Sequence, residues 1–449
     1  MTNSPPSINY RPIHKIINSN RKISAIVYAV LVIIVVDTLI NQNADYLIDQ
    51  NTSGPGIALF IIMATMSIIG QYFILEYVKL KSHDIRQKVR HLNILHRIVA
   101  IVQYLLISIF IFIIFGIVIS HQYPTITLPV VTAASYGLDV GLMGIFTFIF
   151  FSWYKSNRNS VVVLLYGLSF AVVVVTSSVF LASSILRFVD SPHYRYPDSE
   201  VDFTSPEKGS IRYNLGKIYH YSDIASFVLK WIATAFLLYH YSKKIGKTKY
   251  LLLVGIPLIY FLGTFMDDFS LYKPQSNEEW FYWYLYASLN STAGGILFGI
   301  GFMLGAKHFS NKLPIKDYMI ISGFGFILFF SAGQSTLTIA PYPPYGFATM
   351  SFFGLSTYLV LLGLYASAIS VSEDIELRKS IKKSTLREAR FLDSMGSAHM
   401  EKELMKRMVL KARQEQKEWA QESGVVASLV EEDIINIVKE AERDVKEKK

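Results

Sequence analysis

Five residues able to do chemistry sit inside stretches that are otherwise apolar: Asp37, Asp139, Lys230, Asn290 and Gln334. A charge near the middle of a bilayer costs at least roughly 2.5–3.5 kcal/mol, so it persists only where it is paired, hydrated or used. One ammonium, two carboxylates and two amides form a donor and acceptor set suited to holding an ion or a small polar solute. The sharpest expectation is a polar cavity in the outer half of a helical bundle, with Lys230 paired to Asp37 or Asp139. Asp267 and Asp268 would stand at its mouth. The plain alternative is that each residue lies near the headgroups and snorkels there. Lys230 is the deepest, about 10 Å in from Asp223 at 1.5 Å per residue.

The elements that must position these residues are membrane-spanning helices, because lipid offers a backbone no hydrogen-bond partner and roughly 20 apolar residues are needed to cross. Ten such stretches occur, at 23–40, 55–76, 98–120, 134–154, 161–188, 223–242, 250–266, 281–308, 318–337 and 348–370. The expected fold is all-α, a polytopic bundle of about ten transmembrane helices over 23–371. A cytoplasmic segment (1–22) precedes it and a charged helical tail (372–449) follows.

Lys and Arg fall in alternate connections. Lys79, Lys81, Arg86, Lys88, Arg90 and Arg97 follow the second span, Lys155 and Arg158 the fourth, Lys243 to Lys249 the sixth, and Lys307, Lys312 and Lys316 the eighth. The short connections on the other side, 41–54, 121–133, 267–280 and 338–347, hold only Lys273. Basic loops face the cytoplasm, which places both termini there, in a cell membrane. The net charge of +9 maps onto these loops and a tail of mixed sign, so it is expected to meet anionic lipid and no nucleic acid. Charged residues make up 17% of the chain, low for a soluble protein of this length. Zero cysteines exclude disulfides, thiolate catalysis and Cys-ligated metals.

Two regions lie outside the bilayer. The outer loop 189–222, mixed in charge with interspersed Pro and Tyr, is expected to cap the outer mouth. In the tail, Leu377, Ile381, Leu392, Met395, Leu404 and Met408 recur at helical spacing, and Gly424 separates them from a second run at Val426 to Ala441. Two amphipathic helices follow from that pattern, each needing a partner, a second copy or the membrane to bury its stripe. Within the spans, Gly295 with Gly299, and Gly323 with Gly325, predict close helix packing.

Catalytic and metal motifs are not read. His83, His91 and His96 belong to a basic loop and are expected on a solvated or lipid-facing surface; His193 and His220 lack metal-ligand spacing. A retinal Schiff base on Lys230 is disfavoured, since Ser226 occupies the position one turn earlier and four more spans follow. The expectation is no enzyme and no cofactor.

The juncture Ser372-Glu373-Asp374-Ile375-Glu376-Leu377-Arg378-Lys379-Ser380, with Phe391-Leu392-Asp393-Ser394-Met395-Gly396 and Met400-Glu401-Lys402-Glu403, resembles the tail of uncharacterised multipass membrane proteins found in archaea. The layout is also similar to sensors whose membrane helices feed a cytoplasmic helical stalk. Two functions stand side by side: a membrane-embedded sensor or scaffold coupling an outer-facing cavity to the tail, and a secondary transporter or channel with its ion or substrate site near Lys230. The first leaves the tail to self-association or to a cytoplasmic protein.

Overall fold

The computed structural model describes residues 20–42, 52–124, 126–156, 161–190, 209–239, 247–248, 250–252, 254–258, 276–306, 314–332, 342–373 and 387–423. Eleven helices carry most of these residues: α1 Asn20–Gln42, α2 Gly54–Lys81, α3 His83–Lys88, α4 Arg90–Ser120, α5 Thr127–Ser156, α6 Val161–Asp190, α7 Ile211–Leu238, α8 Asn277–Ala306, α9 Pro314–Ala332, α10 Phe347–Glu373 and α11 Arg387–Ser423; the described residues between 247 and 258 are helical as well. Among the described residues there is no strand.

Seven of them, α1, α2, α4, α5, α6, α9 and α10, are long and apolar enough to cross a membrane, the signature of an α-helical membrane bundle. Two further expected spans are also helical: α7 is 28 residues long and α8 is 30, each long enough to cross, and α8 carries an apolar stretch over Gly295–Leu304. The expected span 250–266 lies outside the described residues beyond 258.

α7 also begins earlier than its hydropathy indicates. Ser210 caps it, its side chain accepting from the Tyr213 amide at 3.2 Å, so 211–222 of the expected cap loop is helix. Arg212, Lys217 and Asp223 dilute the apolar signal over this stretch without interrupting backbone hydrogen bonding. Lys230 therefore lies about five turns into its helix. Residues 191–208 of the loop lie outside the described residues.

α10 is the hub. It packs against α1, α2, α4, α5, α9 and α11, and nearly all its side chains are buried. Small residues permit this. A Cβ on Gly363 would stand 2.5 Å from the Tyr318 carbonyl of α9, and one on Gly325 of α9 would stand 2.6 Å from the Val360 amide of α10. The expected Gly contacts of α8 are met in the same way, a Cβ on Gly299 falling 2.6 Å from the Gly323 carbonyl. Without a hydrophobic drive between helices in lipid, close backbone approach of this kind supplies the packing energy.

The tail helix α11 is 37 residues long and ends one residue before Gly424. Met395 and Ala398 are buried, and Gly396 meets Val371 of α10, where a Cβ would stand 2.6 Å from Val371 Cγ1. The Lys402 ammonium lies 5.6 Å from the Phe148 ring of α5. The expected stripe is thus divided: its first part is covered by the bundle itself, whereas Leu404 and Met408 are exposed. Leu377, Ile381 and the second run from Val426 lie outside the described residues, as does the side chain of Leu392.

Candidate functional site

α6 and α7 are joined by a ladder of hydroxyl contacts alongside apolar packing such as Phe180 against Tyr219. Tyr166 and Thr234 meet at 2.8 Å, Ser169 donates to the Ser226 carbonyl at 3.2 Å, and Thr176 meets Ser222 at 2.8 Å. Hydroxyls are the polar groups that cost least here, because each can also bond a carbonyl of its own helix, as Thr176 does to Val172 at 2.9 Å.

Beside this ladder, α5 brings in Asp139. Its carboxylate is fully buried and accepts from Ser177 of α6 and from Thr357 of α10, both at 2.5 Å. Three helices therefore share one carboxylate. Next to it is a cavity of about 50 Å³, walled by Tyr136, Thr176, Ser177, Tyr219, Asp223, Ser226, Lys230 and the rings of Phe227, Phe329, Phe330 and Phe353.

Lys230 is 4% exposed. Its ammonium lies 4.5 Å from the centre of the Phe330 ring and 5.1 Å from that of Phe329, and it feels the charges of Asp223 and Asp139. Neither carboxylate comes within the 4.0 Å of a direct ion pair. The expected pairing of Lys230 with Asp139 is not made as an ion pair, because the Asp139 oxygens are taken up by the Ser177 and Thr357 hydroxyls. Asp223, which hydropathy places at the boundary of a span, is a second acidic neighbour.

Asp37 goes elsewhere. Its Oδ1 accepts from the Gly346 amide at 3.0 Å, and its Oδ2 accepts from the Thr349 amide and hydroxyl, each at 2.8 Å. Buried in α1, it caps the N-terminus of α10, where unsatisfied N–H groups and the helix dipole favour a negative charge. It is absent from the walls of the Lys230 cavity. The backbone of Asn290 belongs to α8, but its side chain lies outside the described residues, and so do Gln334, Asp267 and Asp268.

A second polar cluster joins α2, α4 and α10. Gln71 donates to Ser351 Oγ at 2.5 Å, and Gln103 donates to the Ser351 carbonyl at 3.3 Å. Both amide orientations are determined by the network, since the Ser351 hydroxyl already donates to the Ala348 carbonyl at 2.6 Å. Gln71 Oε1, Gln103 Oε1 and Ser67 Oγ are left as buried atoms without a protein partner. An amide inside an apolar span, the signal that marked Asn290 and Gln334, was available for Gln71 and Gln103 as well.

At the far end of α2, Arg86 turns inward. It donates to the Lys79 carbonyl at 2.7 Å and to Ser82 Oγ at 2.9 Å, closing the C-terminus of α2. His96 does not lie on the surface: it is buried and meets the Tyr358 hydroxyl of α10 at 2.9 Å. Among the described residues no group of three His, Asp or Glu gathers as a metal site.

No protein-family model, curated protein or solved structure matches the chain.

Proposed function

We propose that this is an integral membrane protein of ten spans, with both termini cytoplasmic, acting as a sensor or scaffold that couples the cavity around Lys230 to the tail helix. The observation that carries this reading is a shared helix. α10 gives Phe353 to the cavity wall and Thr357 to Asp139, and about four turns later it gives Val371 to Gly396 of α11. Both contacts lie on one buried helix with tight glycine seams, so a change of charge or hydration at Asp139 has a short mechanical route to the tail. The exposed Leu404 and Met408 farther along α11 are left for a second copy or a cytoplasmic partner. α7, α8 and a span over 250–266, added to the seven apolar helices, preserve the alternation of basic connections. The reading assigns no catalysis.

Hydrogen–deuterium exchange over 387–423, in liposomes, tests it. Lys230→Met and Asp139→Asn are expected to change protection around Met395 to Lys402 while the bundle stays folded. Identical tail exchange in all three proteins would end the sensor reading.

A carrier or channel is the second reading, favoured by a buried ammonium that faces a cavity without a direct ion pair. It predicts a current on a solid-supported membrane after a proton, sodium or solute jump, lost in Lys230→Ala.

A further inference from the structure

We propose that the ligand of the Lys230 cavity is the proton, taken up at Asp223 and exchanged with Lys230 through water held among Thr176, Ser177 and Ser226; this rests on the reading of the cavity as the input site. The Lys230 ammonium has no hydrogen-bond acceptor among the described protein groups, and its nearest neighbours are two ring faces. A ring face offsets charge but leaves three N–H donors to be met by oxygen in the cavity. Ser226 Oγ, on the cavity wall and 1% exposed, is likewise without a protein partner. A volume of about 50 Å³ has room for one or two waters.

Charge decides which group takes the proton. With Asp139, Asp223 and Lys230 all ionised, the cluster carries one excess negative charge, and one proton neutralises it. Asp139 is held by two hydroxyl donors, whereas Asp223 accepts no hydrogen bond among the described residues. Asp223 is therefore the group that titrates. The other ionisable groups facing the cavity are Tyr136 on α5 and Tyr219 on α7, with His220 acting on Asp223; the described walls from α6, α9 and α10 contribute none. Exchange with Lys230 balances as follows. An N–H of the ammonium breaks as its proton joins a bridging water, that water gives one of its own protons to an Asp223 oxygen, and a neutral amine and a carboxylic acid replace the separated ammonium and carboxylate.

Infrared difference spectra of the protein in liposomes, taken between about pH 8 and pH 5, provide the test. Wild type is expected to gain a protonated-carboxyl band on acidification, and Asp223→Asn to lose it. Asp139→Asn retains the band. Lys230→Met removes the cation that holds Asp223 ionised, so the midpoint should rise by a pH unit or more, about one unit being a tenfold change in proton affinity. Asp223→Asn disturbs no described hydrogen bond, so it remains decisive if Lys230→Met does not fold. A band that survives Asp223→Asn, or a midpoint unmoved in folded Lys230→Met, overturns the proposal. Tail exchange measured on the same samples in a His399→Gln background separates the two readings. A titrating band with an unresponsive tail supports the proton site and ends the sensor reading; a responsive tail without the band overturns the proton site alone.

Discussion

Asp37 and Asp139 are both buried acids in apolar helices, and their partners give them different work. Asp37 meets three donors at one helix start, so Asp37→Ala removes the acceptor of two buried backbone N–H groups, while the Thr349 hydroxyl keeps the Ile34 carbonyl at 3.2 Å. The expected loss is about 3 kcal/mol, with Asp37→Asn recovering part of it through its remaining oxygen. Thermal midpoints in detergent would show this, and an unchanged midpoint for Asp37→Ala would remove the capping role. Asp139→Asn, by contrast, should shift the tail's exchange pattern more than the midpoint, because the amide oxygen still accepts from one of the two hydroxyls. Hydropathy made both acids visible and could not separate them. What separates them is long-range pairing, Asp37 with Gly346 and Thr349, Asp139 with Ser177 and Thr357. Lys230 was legible for the opposite reason: about 10 Å into an expected span, a lysine has few harmless explanations, and the earlier start of α7 puts it deeper still. Gln71 and Gln103 carry the same signal as Asn290 and Gln334, an amide inside an apolar span, and what sets them apart is their shared long-range partner, Ser351 of α10.

Glycine placement decides how the elements meet. Gly323 of α9 presses on Gly299 of α8, Gly325 on Val360 of α10, and Gly396 of α11 on Val371. The sequence pattern of small residues foretold the α8 and α9 seams, since backbone approach is what small residues allow in lipid. Its silence on the α11 seam has a physical cause: one glycine in a charged helix has no period to detect. The chain has no cysteine, so a single Ala398→Cys provides a clean reporter of that seam. In the parent, thiol labelling of this buried position should be slow. Adding Gly396→Leu, whose side chain cannot fit against Val371, should speed labelling at least tenfold while α10 remains intact. Equal rates would mean that α11 is not held there. The boundary of α7 illustrates the limit of apolar pattern at this scale. Arg212 and Lys217 read as loop, yet a serine cap and an uninterrupted backbone ladder make a helix of them.

At the scale of the molecule, the contact between the bundle and the tail is expected to depend on pH through His399. His399 sits on the docked face of α11, its ring 5.8 Å from that of Tyr365 at 85°. Burial lowers its proton affinity below the ordinary histidine value, Lys402 acts in the same direction, and Glu403 and Glu373 oppose them. The sign of the linkage follows. The undocked tail binds a proton more tightly than the docked tail, so docking keeps its full strength above the ordinary histidine range near pH 6.5. It weakens as pH falls below that value, until the docked histidine itself titrates. Labelling of Ala398→Cys should therefore accelerate between about pH 7 and pH 5, and His399→Gln should flatten the profile. Two ion pairs tie the same end of the bundle together, Lys81 with Asp317 at 2.8 Å and Lys88 with Glu373 at 2.7 Å. The second is exposed and contributes little, about 1 kcal/mol or less, and salt screens it. High salt should thus change the labelling rate only modestly, whereas acid changes it strongly in the parent and weakly in His399→Gln. Acceleration that survives His399→Gln unchanged would transfer the pH response from the tail contact to the cavity carboxylates above it.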